Sequence, residues 1–297
     1  MIQRIDMLKS EINELQQMLN GLDDSAVIQR LSLQGRLNAA QGELERVEAT
    51  PEPLRARLTF RGRPVFGSHG IAADFGGKAS NAFADAFAAV VAGLNENLQF
   101  MGPIPDRVKN QLLITGTAQG SFGFVFELPP AAGLFPEHER TGDALATIQS
   151  LFEASAQGSD DEVAELVEAI HPRAVKKVFE FLCLLSQYHA LCGLEFKDKT
   201  FRFEGTEQLE RSAGRLAEGN IQENKETHRG MFLGVLPNSR SFEFQTANGV
   251  IKGKIGVAIE DPDVINREWL RQESCVTLGV IQVGQGRPRY TLMELPE

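Results

Sequence analysis

Arg55-Ala56-Arg57-Leu58-Thr59-Phe60-Arg61-Gly62-Arg63-Pro64-Val65-Phe66 alternates with period two. Successive side chains of a β-strand point to opposite faces. Ala56, Leu58, Phe60, Pro64 and Phe66 therefore share one face, and Arg55, Arg57, Thr59, Arg61 and Arg63 the other. Such a strand needs neighbours beside it and an apolar layer over it, which points to an α+β fold. The arginines have three explanations. Charge on an exposed edge blocks strand addition, and this edge protection is the favoured one. Pairing with an acidic stretch at 131–193 is the second. A site for phosphate or a nucleic-acid backbone is the third.

Downstream, Gly67, Gly70, Gly76 and Gly77 predict a mobile loop over Gly67–Lys78. Ala79, Phe83, Phe87, Val90, Val91, Leu94 and Leu98 predict a helix over 79–98 with one apolar face. The phosphate-loop signature is not met, because Ala72 stands where its first glycine belongs and Ala79 follows Lys78. QLLITGTAQGSFGFVFELPP then reads as a hairpin turning at Ala118–Ser121. With the arginine strand it makes a sheet of at least three strands under the 79–98 helix.

Three helices follow, at about 142–157, 160–170 and from Pro172 onward. The second is opened by Ser159-Asp160-Asp161, a capping sequence. The third carries Val175, Val178, Phe179, Leu182, Leu185 and His189 as one stripe, with Cys183 and Cys192 on the same helix. LEFKDKTFRFEG is a strand pair, and Thr206 opens a short helix containing Leu209 and Leu216. The remainder is all-β. Met231–Leu236 and Ser241–Thr246 flank a turn, Asn248-Gly249 is a hairpin signal, and Ile251, Ile255, Val257 and Ile259 alternate. A helical turn in DPDVINREWLRQ precedes two last strands. This order of five short strands over about 230–295 resembles the SH3-like or Sm-like small barrels. The resemblance implies binding of peptides, nucleic acid or partner domains, with Lys252, Lys254, Arg287 and Arg289 available for a face.

Upstream, Ile5, Leu8, Ile12, Leu15, Leu19 and Leu22 fall at spacings of three and four, an a/d heptad seam. A break at Gly21 and Asp23-Asp24-Ser25 leads to a second helix, about Ala26 to Ala49, with Leu33, Leu37, Ala40, Leu44 and Val47. Pro51 and Pro53 stop it. So short a coiled-coil hairpin is marginal alone in water. Its six-residue seam therefore needs a partner: self-association is the favoured reading, and docking on the rest of the chain is the alternative.

The chain has 297 residues, 42% hydrophobic and 24% charged, as in ordinary globular proteins. Its net charge of −10 disfavours a basic nucleic-acid coat. The surplus is uneven. Residues 131–193 carry 4 basic and 10 acidic side chains, whereas 51–130 carry 7 and 6. No apolar run approaches the ~18 residues of a membrane span. The start, MIQRIDMLKSEINEL, is unlike a leader peptide. Cys183, Cys192 and Cys275 suit a reduced compartment, so a cytoplasmic location without membrane contact is expected.

The motifs GxSxG, HExxH and CxxC are absent, and no kinase-type DFG site is expected. Ser68-His69 with Asp74 is the best catalytic candidate, although triads are usually assembled from distant segments. Neither cofactor nor metal is expected. The domain reading is a coiled-coil helical hairpin at 1–50, an α+β domain with a helical second half at 54–193, and a small β-barrel domain with a leading strand-helix segment at 194–297. The functional expectation is a non-enzymatic, homo-oligomeric interaction or regulatory protein of a bacterial cytosol, dimeric or higher. It would be a sensor or accessory component of the kind carried on antiviral, phage-defence-type loci, with a protein partner. The alternatives are nucleic-acid binding through Arg55, Arg57, Arg61, Arg63, Lys252, Lys254, Arg287 and Arg289, and an enzyme with its site in the Gly67–Lys78 loop.

Overall fold

A computed structural model describes residues 2–23, 26–49, 54–95, 97–108, 110–118, 122–128 and 137–296. Contacts divide them into two units, one of residues up to 54 with Leu128, and one of residues 55–127 and 137–296. No helix among the described residues is long and apolar enough to cross a membrane.

The first unit is α1 (Ile2–Asn20) and α2 (Val27–Ala49). Ile12 and Leu15 of α1 bury against Leu37 and Ala40 of α2, with Leu19, Leu33 and Leu44 packed alongside. Leu8 is buried as well. The apolar seam of α1 therefore faces the second helix of its own chain. Asp24, Ser25, Pro51 and Pro53 lie outside the described residues.

The second unit begins with β1 (Arg55–Gly62), a miniature hairpin of β2 (Val65–Phe66) and β3 (Gly70–Ile71), and α3 (Ala73–Leu94). It continues through β4 (Leu113–Ala118), β5 (Gly123–Glu127), α4 (Glu137–Gln157), α5 (Asp160–Glu168), α6 (Pro172–Gln187), β6 (Ala190–Phe196), β7 (Lys199–Arg202) and α7 (Thr206–Leu216). Last come β8 (Ile221–Leu236), β9 (Ser241–Thr246), β10 (Gly249–Ile255), α8 (Asp263–Glu268), β11 (Glu273–Val283) and β12 (Arg289–Leu292).

Strands β4-β5-β1-β6-β7 form one antiparallel sheet. The alternation read over this stretch holds for Ala56, Leu58 and Phe60, which are buried, and for Arg55, Arg57 and Arg61, which are exposed; Thr59 is buried between neighbouring strands, and Phe66, expected on the apolar face, lies in β2 and is exposed. Edge protection does not hold, because β1 is the central strand, flanked by β5 and β6. Phenylalanines build the core over it. Phe75 of α3 sits 5.3 Å from Phe60, and Phe83 of α3 sits 5.3 Å from Phe126. Phe152 of α4 meets Phe203 at 5.7 Å and Phe181 of α6 at 6.0 Å. Phe152 and Phe181 stack, and the other pairs meet edge-to-face or tilted, arrangements that suit ring quadrupoles.

Three boundaries differ from expectation for local reasons. The helix expected over 79–98 starts at Ala73, so Gly76 and Gly77 are helical and no long mobile loop spans Gly67–Lys78. Gly76 fits there because a Cβ would come within 3.2 Å of Ile71 on the adjoining β3. Helix α6 ends at Gln187, where Tyr188 caps it and His189 turns the chain with φ 49°. His189 and Cys192 thus leave the helix, and Cys192 lies in β6. The LEFKDKTFRFEG hairpin, expected ahead of the barrel, belongs to the first sheet: β6 pairs with β1 over all seven of its residues.

Strands β10-β12-β11-β8-β9 close into a barrel. Phe232, Phe242, Phe244, Ile255, Ile265, Val276, Leu278 and Leu292 fill it. Its strands pair antiparallel except β10 with β12, which run parallel. The Asn248-Gly249 turn is present, with Gly249 at φ 127°. Val257 lies beyond the end of β10 and is exposed. Strand β8 starts ten residues before the expected Met231, in QENKETHR, which has no apolar alternation to announce a strand.

Candidate functional site

Six of the eight candidate cations sit on strands of two different sheets, Arg63 and Arg287 lie in the loops beside them, and most have partners. On the first sheet, Arg55 Nε donates to Glu127 Oε2 at 3.1 Å and Arg57 Nη1 lies 3.4 Å from Glu195 Oε2. Arg61 Nη2 donates to the backbone carbonyls of Phe203 and Glu204, both at 2.6 Å. The partners come from neighbouring strands and the 203–204 segment, not from 131–193. Arg63 lies in the turn after β1 rather than on it, and its backbone N–H donates to His189 O at 3.1 Å.

On the barrel, Lys252 Nζ pairs with Glu243 Oε1 at 2.7 Å. Lys254 Nζ and Arg289 Nε both reach Glu168 Oε2, at 3.2 and 2.8 Å, and Thr291 Oγ1 donates to Glu168 Oε1 at 3.4 Å. The Glu168 side chain is only 6% exposed. It is the last residue of α5, and it grips the pair of parallel strands that closes the barrel.

The start of α5 grips the barrel too. Asp160 Oδ2 accepts from Gln285 N at 3.2 Å, and Asp161 Oδ1 accepts from Arg287 N at 2.6 Å. Arg215 of α7 holds Asp160 Oδ1 at 3.3 Å and donates to Gly158 O at 2.6 Å. Helix α5 is thus a strut, its first turn fixed to the β11–β12 turn and its last to β10 and β12. A capping box starts it: Ser159 Oγ accepts from Glu162 N at 3.3 Å, and Glu162 Oε2 accepts from Ser159 N at 2.6 Å. Ser159→Ala is expected to cost about 1 kcal/mol, read as a lower urea midpoint at unchanged slope; no shift would show that the barrel contacts alone hold α5.

The Gly67–Lys78 segment carries a compact polar cluster. Lys78 Nζ donates to Asp74 Oδ2 at 3.0 Å and to Tyr188 Oη at 2.7 Å, while Tyr188 Oη donates to Asp74 Oδ2 at 2.5 Å. Hydrogen bonds from Tyr188 and then Lys78 hold the Asp74 carboxyl below its ordinary range. Those with Tyr188 and then Asp74 raise Lys78. Asp74 therefore serves Tyr188 and Lys78, not His69, whose backbone N–H closes the β2–β3 turn on Phe66 O at 3.1 Å. Asp74-Phe75-Gly76 also spells the metal-binding triplet of protein kinases. Here it forms the first turn of a helix, with Phe75 buried in the core.

Burial pushes the thiols of Cys183 and Cys192 upward, away from the reactive thiolate. Among the described residues no group of three His, Cys, Asp or Glu side chains is placed to hold a metal ion.

The residues that tie the second unit together, Glu168, Asp160, Asp161 and Arg215, belong to no motif. Only the run Ser159-Asp160-Asp161-Glu162 gave a signal, and that signal concerned the helix start. No family model, curated protein or solved structure matches the chain.

Proposed function

We propose that the protein is a non-enzymatic, homo-oligomeric interaction protein. Its helical hairpin joins copies as a coiled coil, and its C-terminal SH3-like barrel presents a recognition surface. One observation carries the reading. With the α1 seam already spent on α2, the hairpin still exposes Met7 (65%), Met18 (55%), Val27 (59%), Ile28 (84%) and Leu31 (69%). Met7 and Met18, eleven residues or about three turns apart, share one helical face, as do Ile28 and Leu31, three apart. A hairpin with so few buried side chains of its own gains most from covering such faces with a second hairpin. The seam residues then build the hairpin, and its outer faces join copies. The ion pairs at Arg55, Arg57, Lys252, Lys254 and Arg289 favour this reading over nucleic-acid binding, since each such cation already has a carboxylate beside it.

The test is the native mass of the full chain by light scattering, beside the doubly substituted Ile28→Glu, Leu31→Glu chain. The wild type is expected above the mass of one chain, and the substitutions, both at exposed positions, to lower it at least twofold. A wild type of single-chain mass, or a variant with undiminished mass, refutes assembly through the hairpin.

A further inference from the structure

A groove of about 380 Å³ lies in the second unit, where α6, the end of α7 and the start of β8 meet the segment around Phe100. Val167, Pro172, Val175, Leu216 and Ile221 give it apolar walls. Val167, Val175 and Leu216 are buried, so these walls are part of the core. Its size and lining are those of a small-molecule pocket.

One wall is set in place by hydrogen bonds. Arg173 donates from Nη1 to Gln99 O at 2.9 Å and from Nη2 to Gly102 O, on either side of Phe100. The Phe100 ring packs on the His171 ring at 4.8 Å. Phe100 is nevertheless 72% exposed. A large apolar ring is thus held beside the groove instead of being folded into the core.

Four charged side chains line the groove: Arg173, Lys176, Glu218 and Glu223. Three of them are engaged. Lys176 Nζ pairs with Glu218 Oε1 at 2.7 Å, and Arg173 gives its hydrogen bonds to the two carbonyls. Glu223 has no hydrogen bond and no ion pair among the described residues. Burial alone pushes its carboxyl up, so neither Arg173 nor Lys176 offsets the loss of water around it. A carboxylate desolvated without a partner is costly, and a bound cation would offset that cost.

We infer that this groove binds a small organic ammonium ion with an aryl or alkyl body. The ammonium pairs with Glu223, the body lies on Val167, Val175 and Leu216, and the exposed Phe100 ring adds cation–π attraction. An anion is disfavoured, because both cations of the groove are engaged and Glu223 repels it. A neutral molecule of the same shape gains less, since a hydrogen bond between two ions is stronger than one from a neutral donor. The groove belongs to the second unit, so the inference does not rest on assembly through the hairpin.

The full chain is titrated with 2-phenylethylammonium chloride and with 2-phenylethanol, its neutral counterpart, each followed by ligand-observed NMR. The amine is expected to bind with Kd of about 1 mM or below, and the alcohol at least tenfold more weakly. Glu223→Gln, at an exposed position and of nearly the same shape, is expected to weaken the amine at least tenfold. Phe100→Ala is expected to weaken it about two- to fivefold, and is the second variant should the first fail to fold. Glu226→Gln removes the same charge from the opposite face of β8 and is expected to leave the amine unaffected. No binding of the amine, equal binding of the alcohol, or equal losses in Glu223→Gln and Glu226→Gln overturns the inference. So does binding of a lysine-containing peptide without binding of the free amine, because the occupant is then a protein partner. Failure of the hairpin contact leaves these outcomes as they stand.

Discussion

Gly230→Ala is expected to lower stability by at least about 3 kcal/mol, beyond the range of most single substitutions. Gly230 lies where β8 passes from pairing with β11 alone to pairing with both β11 and β9. A Cβ there would stand 1.9 Å from the carbonyl oxygen of Gln245 and 2.9 Å from its carbonyl carbon. Both are backbone atoms of β9, which cannot rotate away as a side-chain tip can. The strands must separate, and the barrel loses a ladder hydrogen bond together with the packing of Phe232 on Phe244 at 4.9 Å. Because barrel and sheet belong to one compact unit, a single thermal transition should shift by roughly 2–4 °C per kcal/mol. Gly234→Ala is the control, since nothing lies within 4 Å of a Cβ there. A Gly230→Ala chain melting within a degree or two of Gly234→Ala would disprove the close approach of β8 and β9.

Glu168→Ala is the second large effect, about 2–4 kcal/mol. Removing one member of a buried ion pair leaves its partner uncompensated, typically at a cost of about 3–5 kcal/mol. The value is set lower here because Lys254 and Arg289 keep side-chain exposures of 51% and 29% and so retain some water. Glu168→Gln keeps an acceptor for Arg289 and Thr291 and should recover part of the loss. A second comparison separates charge from packing. Glu168→Leu combined with Arg289→Met should be more stable than Glu168→Leu alone, because it removes the orphaned cation as well. Urea unfolding of the four chains reads all of this. A loss under about 0.5 kcal/mol for Glu168→Ala would mean that the triad is no more than a surface pair.

Elements defined by periodicity were legible in the sequence. The alternation of Ala56, Leu58 and Phe60, the capping box at Ser159 and the Asn248-Gly249 turn are local patterns with local causes, and each appears in the structure. What local pattern does not encode was missed. The central place of β1 depends on β6, more than 120 residues later, and nothing in RARLTFRG names that partner. The end of α6 at Gln187 rests on one left-handed residue, His189, in a stretch that stays apolar through Leu191, so helix and strand periodicities run together there. The long start of β8 is exposed on both faces and carries charges on both, so no alternation announces it. The candidate cations were chosen by charge, and charge cannot show whether a carboxylate waits across the sheet. Glu168, which gathers two of them, is one acid among ten in its segment.

The central position of β1 also has a consequence during synthesis. Its first neighbour, β5, ends at Glu127, and its second, β6, is complete only at Phe196. For the time needed to add about 70 residues, roughly 3–14 s at ~5–20 residues per second, β4, β5 and β1 can stand as a nascent sheet whose growing side is β1 itself. On the ribosome β1 is then a temporary border, where Arg55 already has Glu127 of β5 while Arg57 and Arg61 still lack Glu195 and the carbonyls of Phe203 and Glu204. When β6 arrives, Glu195 meets Arg57 and the border closes.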